Sequence, residues 1–164
     1  LKRSGRVAYD ISEISDPNVV IQSYRELCDI KQLDNLFSSS EINSLYDVFK
    51  ENLIVIGAKT PDGVVHAIRG AIIMNNKATD IFAASNAFAR KNYLSYSLCW
   101  SLLMHCRFRD CFIFNFNGVD PENNAGVYNF KKGTGSKLVH ILGEFEWSSN
   151  FLLKHAVNFR SRNR

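Results

Sequence analysis

A chain of 164 residues with 46% hydrophobic and 22% charged residues has the composition of an ordinary globular domain, which excludes disordered, collagen-like and disulfide-framework classes. No run approaches the roughly twenty apolar residues of a membrane span, and no signal peptide opens the sequence, so a cytoplasmic address is expected. The net charge of +4 is mild, and its basic residues gather at the ends: Lys2, Arg3 and Arg6 at one, Lys154, Arg160, Arg162 and Arg164 at the other. The basic tail reads either as a solvated, solubilising end or as a peripheral contact with an anionic surface such as the inner face of a membrane.

Val7 to Ile11 is a short strand candidate. Asp16-Pro17 then opens a helix through Val20, Tyr24, Leu27 and Cys28, with the proline in its first turn. Ser38-Ser39-Ser40 caps a second helix with Glu41 early and Ile42, Leu45, Val48 and Phe49 at helical spacing. Leu53 to Ala58 and Val64 to Met74 are apolar and rich in β-branched residues, and Thr60-Pro61-Asp62-Gly63 between them signals a hairpin. Asn75-Asn76-Lys77 makes a second tight turn into Thr79 to Ser85, so three antiparallel strands in succession are expected. Tyr93 to Phe108 predicts a helix buried nearly all round, and Cys111 to Phe116 a strand. Lys137 to Leu142 and Gly143 to Trp147 suggest a closing strand pair, with an amphipathic helix after Ser148 or Asn150.

The strand from Cys111 delivers Asn117-Gly118-Val119-Asp120-Pro121-Glu122-Asn123-Asn124-Ala125-Gly126-Val127-Tyr128-Asn129-Phe130-Lys131-Lys132-Gly133-Thr134-Gly135. Asp120, Asn123 and Asn124 offer helix caps, and the helix is expected to run to Lys132, with Gly133 as its left-handed stop. This stretch resembles the D-L-G-G-[IV]-D-P-E-N-N-P-G-V-x-x-F-K-x-G-F-G-G signature of the FemAB-like aminoacyltransferases, a branch of the GNAT acyltransferase superfamily. The sequence departs from it at Asn115, where the family has Asp, at Asn117 and Ser136, where it has Gly, and at Thr134, where it has Phe. The resemblance implies an α/β GNAT fold with a mixed, mostly antiparallel sheet splayed at its centre. It implies one such domain over residues 1–148, a helix and basic tail over 149–164, and a second GNAT domain elsewhere in a longer protein.

The resemblance also implies the chemistry: transfer of an amino acid from aminoacyl-tRNA to an amine of a peptidoglycan precursor, without a cofactor. The alternative is an N-acyltransferase using acetyl-CoA on a sugar or polysaccharide precursor, or a non-catalytic half that braces its partner domain. Acetyl-CoA enzymes cradle the pyrophosphate in a Gly-rich loop before the central helix, whereas Ser85 to Asn92 contains no glycine. Phe130-Lys131 falls on the family's F-K pair, whose Lys lies near the reacting carbonyl and whose Phe walls the channel; the bland role for Lys131 and Lys132 is complementing the helix C-terminus. Asp120 reads as a general base or as the residue that holds its own turn. Asn115 and Asn117 read as substrate hydrogen-bonders, and Tyr128 as a proton relay, a stacking ring or plain core. The four cysteines and four histidines show no metal-ligand spacing.

Overall fold

A computed structural model describes residues 4–29 and 37–140 of the chain. The chain divides into two compact units, Leu1–Gly118 and Val119–Arg164, each of which is described by itself.

The first unit is built on a five-stranded sheet of order β1-β2-β3-β4-β5. The interior strand β2, Leu53–Lys59, has its first six residues all buried, as an apolar run without alternation requires of a strand covered on both faces. β3, Val65–Met74, and β4, Lys77–Ser85, continue the antiparallel meander. Asn75 and Asn76 form the tight turn between them at φ 48° and 59°, the left-handed conformation that asparagine tolerates and a two-residue hairpin demands. The edge strands are β1, Asp10–Glu13, antiparallel to β2, and β5, Ile113–Asn115, parallel to β4.

Helices cover both faces. α1, Pro17–Asp29, and α2, Ser39–Phe49, pack on one side, where Val20, Tyr24 and Ile42 meet Val55, Ile68 and Phe82. α2 begins with a capping box: Ser38 Oγ accepts the Glu41 N–H at 3.2 Å, and the Ser38 N–H donates back to the Glu41 carboxylate at 2.8 Å. The other face carries α4, Leu94–Phe108, whose Leu94, Leu98, Leu102 and Cys106 pack on Ile54, Ile56, Ala71 and Ala78. In the second unit the described helix is α5, Ala125–Gly133.

Several expectations shift. The first strand is Asp10–Glu13 rather than Val7 to Ile11, because Ser4–Arg6 is a turn of 3-10 helix and pairing with β2, extended by the Ile14 N–H on the Val55 carbonyl, sets the register. α4 is buried on one side only: Trp100 and Phe108 are 53% and 82% exposed, since the sheet covers a single face of it. The glycine-free stretch before α4, on which no element is expected, holds a short helix, α3, Ala87–Lys91. β5 is shorter than Cys111 to Phe116, because the Cys111 N–H is spent on the Cys106 carbonyl and that of Phe112 on Asn76. Residues 137–140 form no strand; the rest of the expected closing pair, the final helix and the basic tail lie outside the described residues. Among the described residues no helix is long and apolar enough to cross a membrane.

Candidate functional site

β4 and β5 run together for three residue pairs only, Lys77 with Ile113, Ala78 with Phe114 and Thr79 with Asn115. Beyond Thr79 the ladder stops and the strands part. Asn117 stands where β5 turns away, at φ 62°. Its side chain replaces the missing ladder bond, with Nδ2 donating to the Asp80 carbonyl at 3.4 Å, while its Oδ1 accepts the Gly118 N–H at 2.9 Å. Asn115 Oδ1 accepts the Asn117 N–H at 2.9 Å. The structure therefore brings Asn115 and Asn117 together as a chain of side-chain-to-backbone bonds that shapes the end of the strand.

Directly behind them lies a pair of charges that the sequence reading missed. Arg69 on β3 makes a two-pronged bond to Asp80 on β4, Nε to Oδ1 at 3.0 Å and Nη2 to Oδ2 at 2.7 Å, with both residues buried. The Arg69 guanidinium carbon also sits 5.6 Å from the centre of the Phe116 ring. A bulge makes this possible. Gly70 pairs with Phe82 but Ala71 with Asp80, leaving Ile81 as an extra residue, so Asp80 and Phe82 turn to opposite faces although they are two apart. The signal that would have revealed the pair was an Arg and an Asp standing alone in two apolar strands. Nearby Cys99 has its thiol pushed up by burial, with Arg69 opposing and Asp80 adding to the shift.

The second unit holds the other expected residues. Asp120 Oδ1 accepts the N–H groups of Glu122 and Asn123, at 3.1 and 2.9 Å, and its Oδ2 accepts the Asn123 side-chain amide at 2.8 Å. These bonds, led by that from the Asn123 backbone, hold the Asp120 carboxyl below the usual carboxylate range. A carboxylate so stabilised is a weakened base, and its geometry is that of a turn holder. Asn124 caps α5, its Oδ1 accepting the Val127 N–H. Tyr128 and Phe130 are half-buried, and Lys132 Nζ lies 5.8 Å from the centre of the Tyr128 ring, one turn away on the same face.

Lys131 is half-buried in the last turn of α5. Its carbonyl accepts the Thr134 N–H at 3.1 Å, the Thr134 hydroxyl at 2.6 Å and the Ser136 hydroxyl at 2.7 Å. Two positions that depart from the resembled signature, Thr134 and Ser136, thus close the helix end. The left-handed glycine is Gly135, at φ 84°, and not Gly133, which is the last residue of the helix. With hydroxyls satisfying the Lys131 carbonyl, the helix runs one residue further than its glycine pattern suggests. Asn115 and Asn117 belong to the first unit, and Asp120, Tyr128, Phe130 and Lys131 to the second. Among the described residues no group of His, Cys, Asp and Glu is placed to hold a metal ion.

The sequence matches the FemAB family over residues 38–161. No curated protein matches it. Its structure is similar to glucosamine-6-phosphate N-acetyltransferase from Arabidopsis thaliana, at 14% identity and TM-score 0.59, covering 85% of this chain and 99% of that one. It is similar also to an aminoglycoside 6'-N-acetyltransferase from Acinetobacter baumannii, at 11% identity and TM-score 0.64, covering 87% and 100%. A GNAT-family acetyltransferase from Staphylococcus aureus matches at 14% identity and TM-score 0.63, covering 78% and 84%. At these identities the likeness is one of fold, and the fold is that of the GNAT acetyltransferases.

Proposed function

Since the chain belongs to the FemAB family and is an acyltransferase domain of GNAT fold, we propose that it transfers an amino acid from aminoacyl-tRNA to an amine of a peptidoglycan precursor. The observation that carries this reading is Lys131, a cation in the last turn of a helix whose end is fixed by the Thr134 and Ser136 hydroxyls. Attack of an amine on the ester carbonyl produces a tetrahedral oxyanion, which a positioned cation stabilises; its collapse forms the amide and breaks the ester bond, releasing the tRNA ribose hydroxyl, whose oxygen takes the proton that the amine gives up. The Lys131 ammonium supplies that charge, Phe130 shields the reacting ester from water, which would otherwise hydrolyse it, and Tyr128 serves as a proton relay or a stacking ring. Asn115 and Asn117 contribute hydrogen bonds to the substrate peptide. Asp120 shapes the approach to α5 rather than taking the proton.

The donor is supported by what stands before α4. No glycine lies between Ser85 and Asn92, and α3 fills that stretch with its own cap, Asn86 Oδ1 accepting the Ala89 N–H at 3.0 Å. Backbone that would approach a pyrophosphate closely is thereby committed to a helix. The second reading, acetyl-CoA as donor with a sugar or polysaccharide acceptor, is favoured by Arg90 and Lys91, both exposed in α3. An aminoacyl-tRNA donor places the reaction in the cytoplasm, and a second GNAT domain in the parent chain would carry much of the acceptor surface.

The test is turnover of labelled aminoacyl-tRNA by the full-length protein and its Lys131→Ala variant. Loss of about 100-fold or more in kcat supports the role given to Lys131, whereas unchanged turnover refutes it.

A further inference from the structure

The Arg69–Asp80 pair is a costly feature to bury. Removing two charges from water costs several kcal/mol each, and a pair of well-packed apolar side chains in the same place is often neutral or better. The pair lies within an apolar sheet, beneath α4, with both side chains under a tenth exposed. Its position matches the fork of the sheet, the place where the β4–β5 ladder ends after Thr79 and Asn115. Asp80 is the first residue of β4 beyond the last β4–β5 pair, its carbonyl is the acceptor for Asn117, and its carboxylate orients the guanidinium that lies over Phe116. Four residues on three strands or their ends, Arg69, Asp80, Phe116 and Asn117, thus form one connected group at the point where the sheet opens.

We infer that the buried Arg69–Asp80 pair is a positioning device that fixes the mouth of this fork, holding Asn117 in its left-handed turn, and that acyl transfer depends on the pair through Asn117. The second half of this inference rests on the acyl-transfer reading; the first half does not. Neither residue is assigned contact with substrate. Loss of the pair leaves the Phe116 ring without its cation, so the end of β5 that carries Asn117 is held less firmly against β4, the long bond from its amide to the Asp80 carbonyl weakens, and the turn relaxes.

The experiment compares the wild-type full-length protein with the doubly apolar variant Arg69→Met/Asp80→Leu, the single variant Asn117→Ala and the combination of all three. Amide hydrogen exchange is read at Asn117 and Gly118, whose N–H groups are bonded within the turn. The double variant is expected to melt within about 5 °C of wild type yet to exchange at those two amides about tenfold faster or more, with β2 and β3 unchanged. Unchanged exchange in a folded double variant overturns the inference. If the double variant does not fold, Arg69→Lys, which keeps the charge but not the two-pronged geometry, is read in the same way.

Turnover is read in parallel. The pair variant should lower kcat about tenfold with KM within about twofold, and Asn117→Ala in that background should add nothing, the mark of groups that act as a unit. Additive losses overturn the route through Asn117. Unchanged turnover of Lys131→Ala in the same assay counts against the role of Lys131 alone and leaves the exchange result standing.

Discussion

Asp120 is a residue whose role is decided by the groups around its carboxylate. Three hydrogen bonds reach its carboxylate, two from backbone N–H groups and one from Asn123, and each favours the charged form. Its folded pKa lies below the ordinary value, so its contribution to the turn is fully present above the ordinary carboxylate range and is lost as pH falls through the lowered folded value. A carboxyl NMR titration should place the Asp120 midpoint below that of the same residue in an unfolded peptide; a midpoint at or above it would contradict the turn-holding role. Residue identity alone left Asp120 with two roles, and it took the positions of Glu122 and Asn123 to separate them. Asn117 was legible as a residue that ends a strand, but its bond to the Asp80 carbonyl is a contact across 37 positions that no local pattern carries.

At the scale of elements, signals within a few residues were read well and those set by distant partners were not. The Ser38 to Glu41 capping box and the Asn75-Asn76 turn are local chemistry, and both stand where the sequence puts them. β1 and β5 are edge strands whose limits depend on which neighbour they pair with, and both moved. The end of α5 moved because Thr134 and Ser136 bond the Lys131 carbonyl, a competition between hydroxyl and glycine caps that spacing cannot decide. Ser38→Ala removes one half of the capping box and should destabilise the first unit by about 1 kcal/mol, measured by chemical denaturation. A change below about 0.3 kcal/mol would mean that the box is made only when α2 is already fixed by its packing.

For the whole molecule, the GNAT arrangement was legible because its central meander is encoded twice, in strand composition and in turns, and because one twenty-residue motif follows it. The buried ion pair was not, because a charge inside an apolar strand reads as a solvated face until the register shows its partner. That register depends on a close approach at Gly70, where a Cβ would come within 2.9 Å of the Phe82 ring. The ring is itself packed against Tyr24 and Phe37, at centroid distances of 5.7 and 6.1 Å, so it has little room to move. Gly70→Ala should therefore cost about 1–3 kcal/mol through overpacking, read by denaturant titration. A neutral result would show that the three rings shift together.

The most direct test of the aminoacyltransferase reading is binding of the protein to a stable aminoacyl-tRNA mimic and, in parallel, to acetyl-CoA, each at two salt concentrations and each repeated with Lys131→Ala. The predicted result is saturable binding of the RNA mimic that weakens with salt, as release of counterions from its phosphates requires, and weakens again when Lys131 is removed. Saturable binding of acetyl-CoA with none of the mimic would contradict it and make the protein an acyl-CoA-dependent N-acyltransferase.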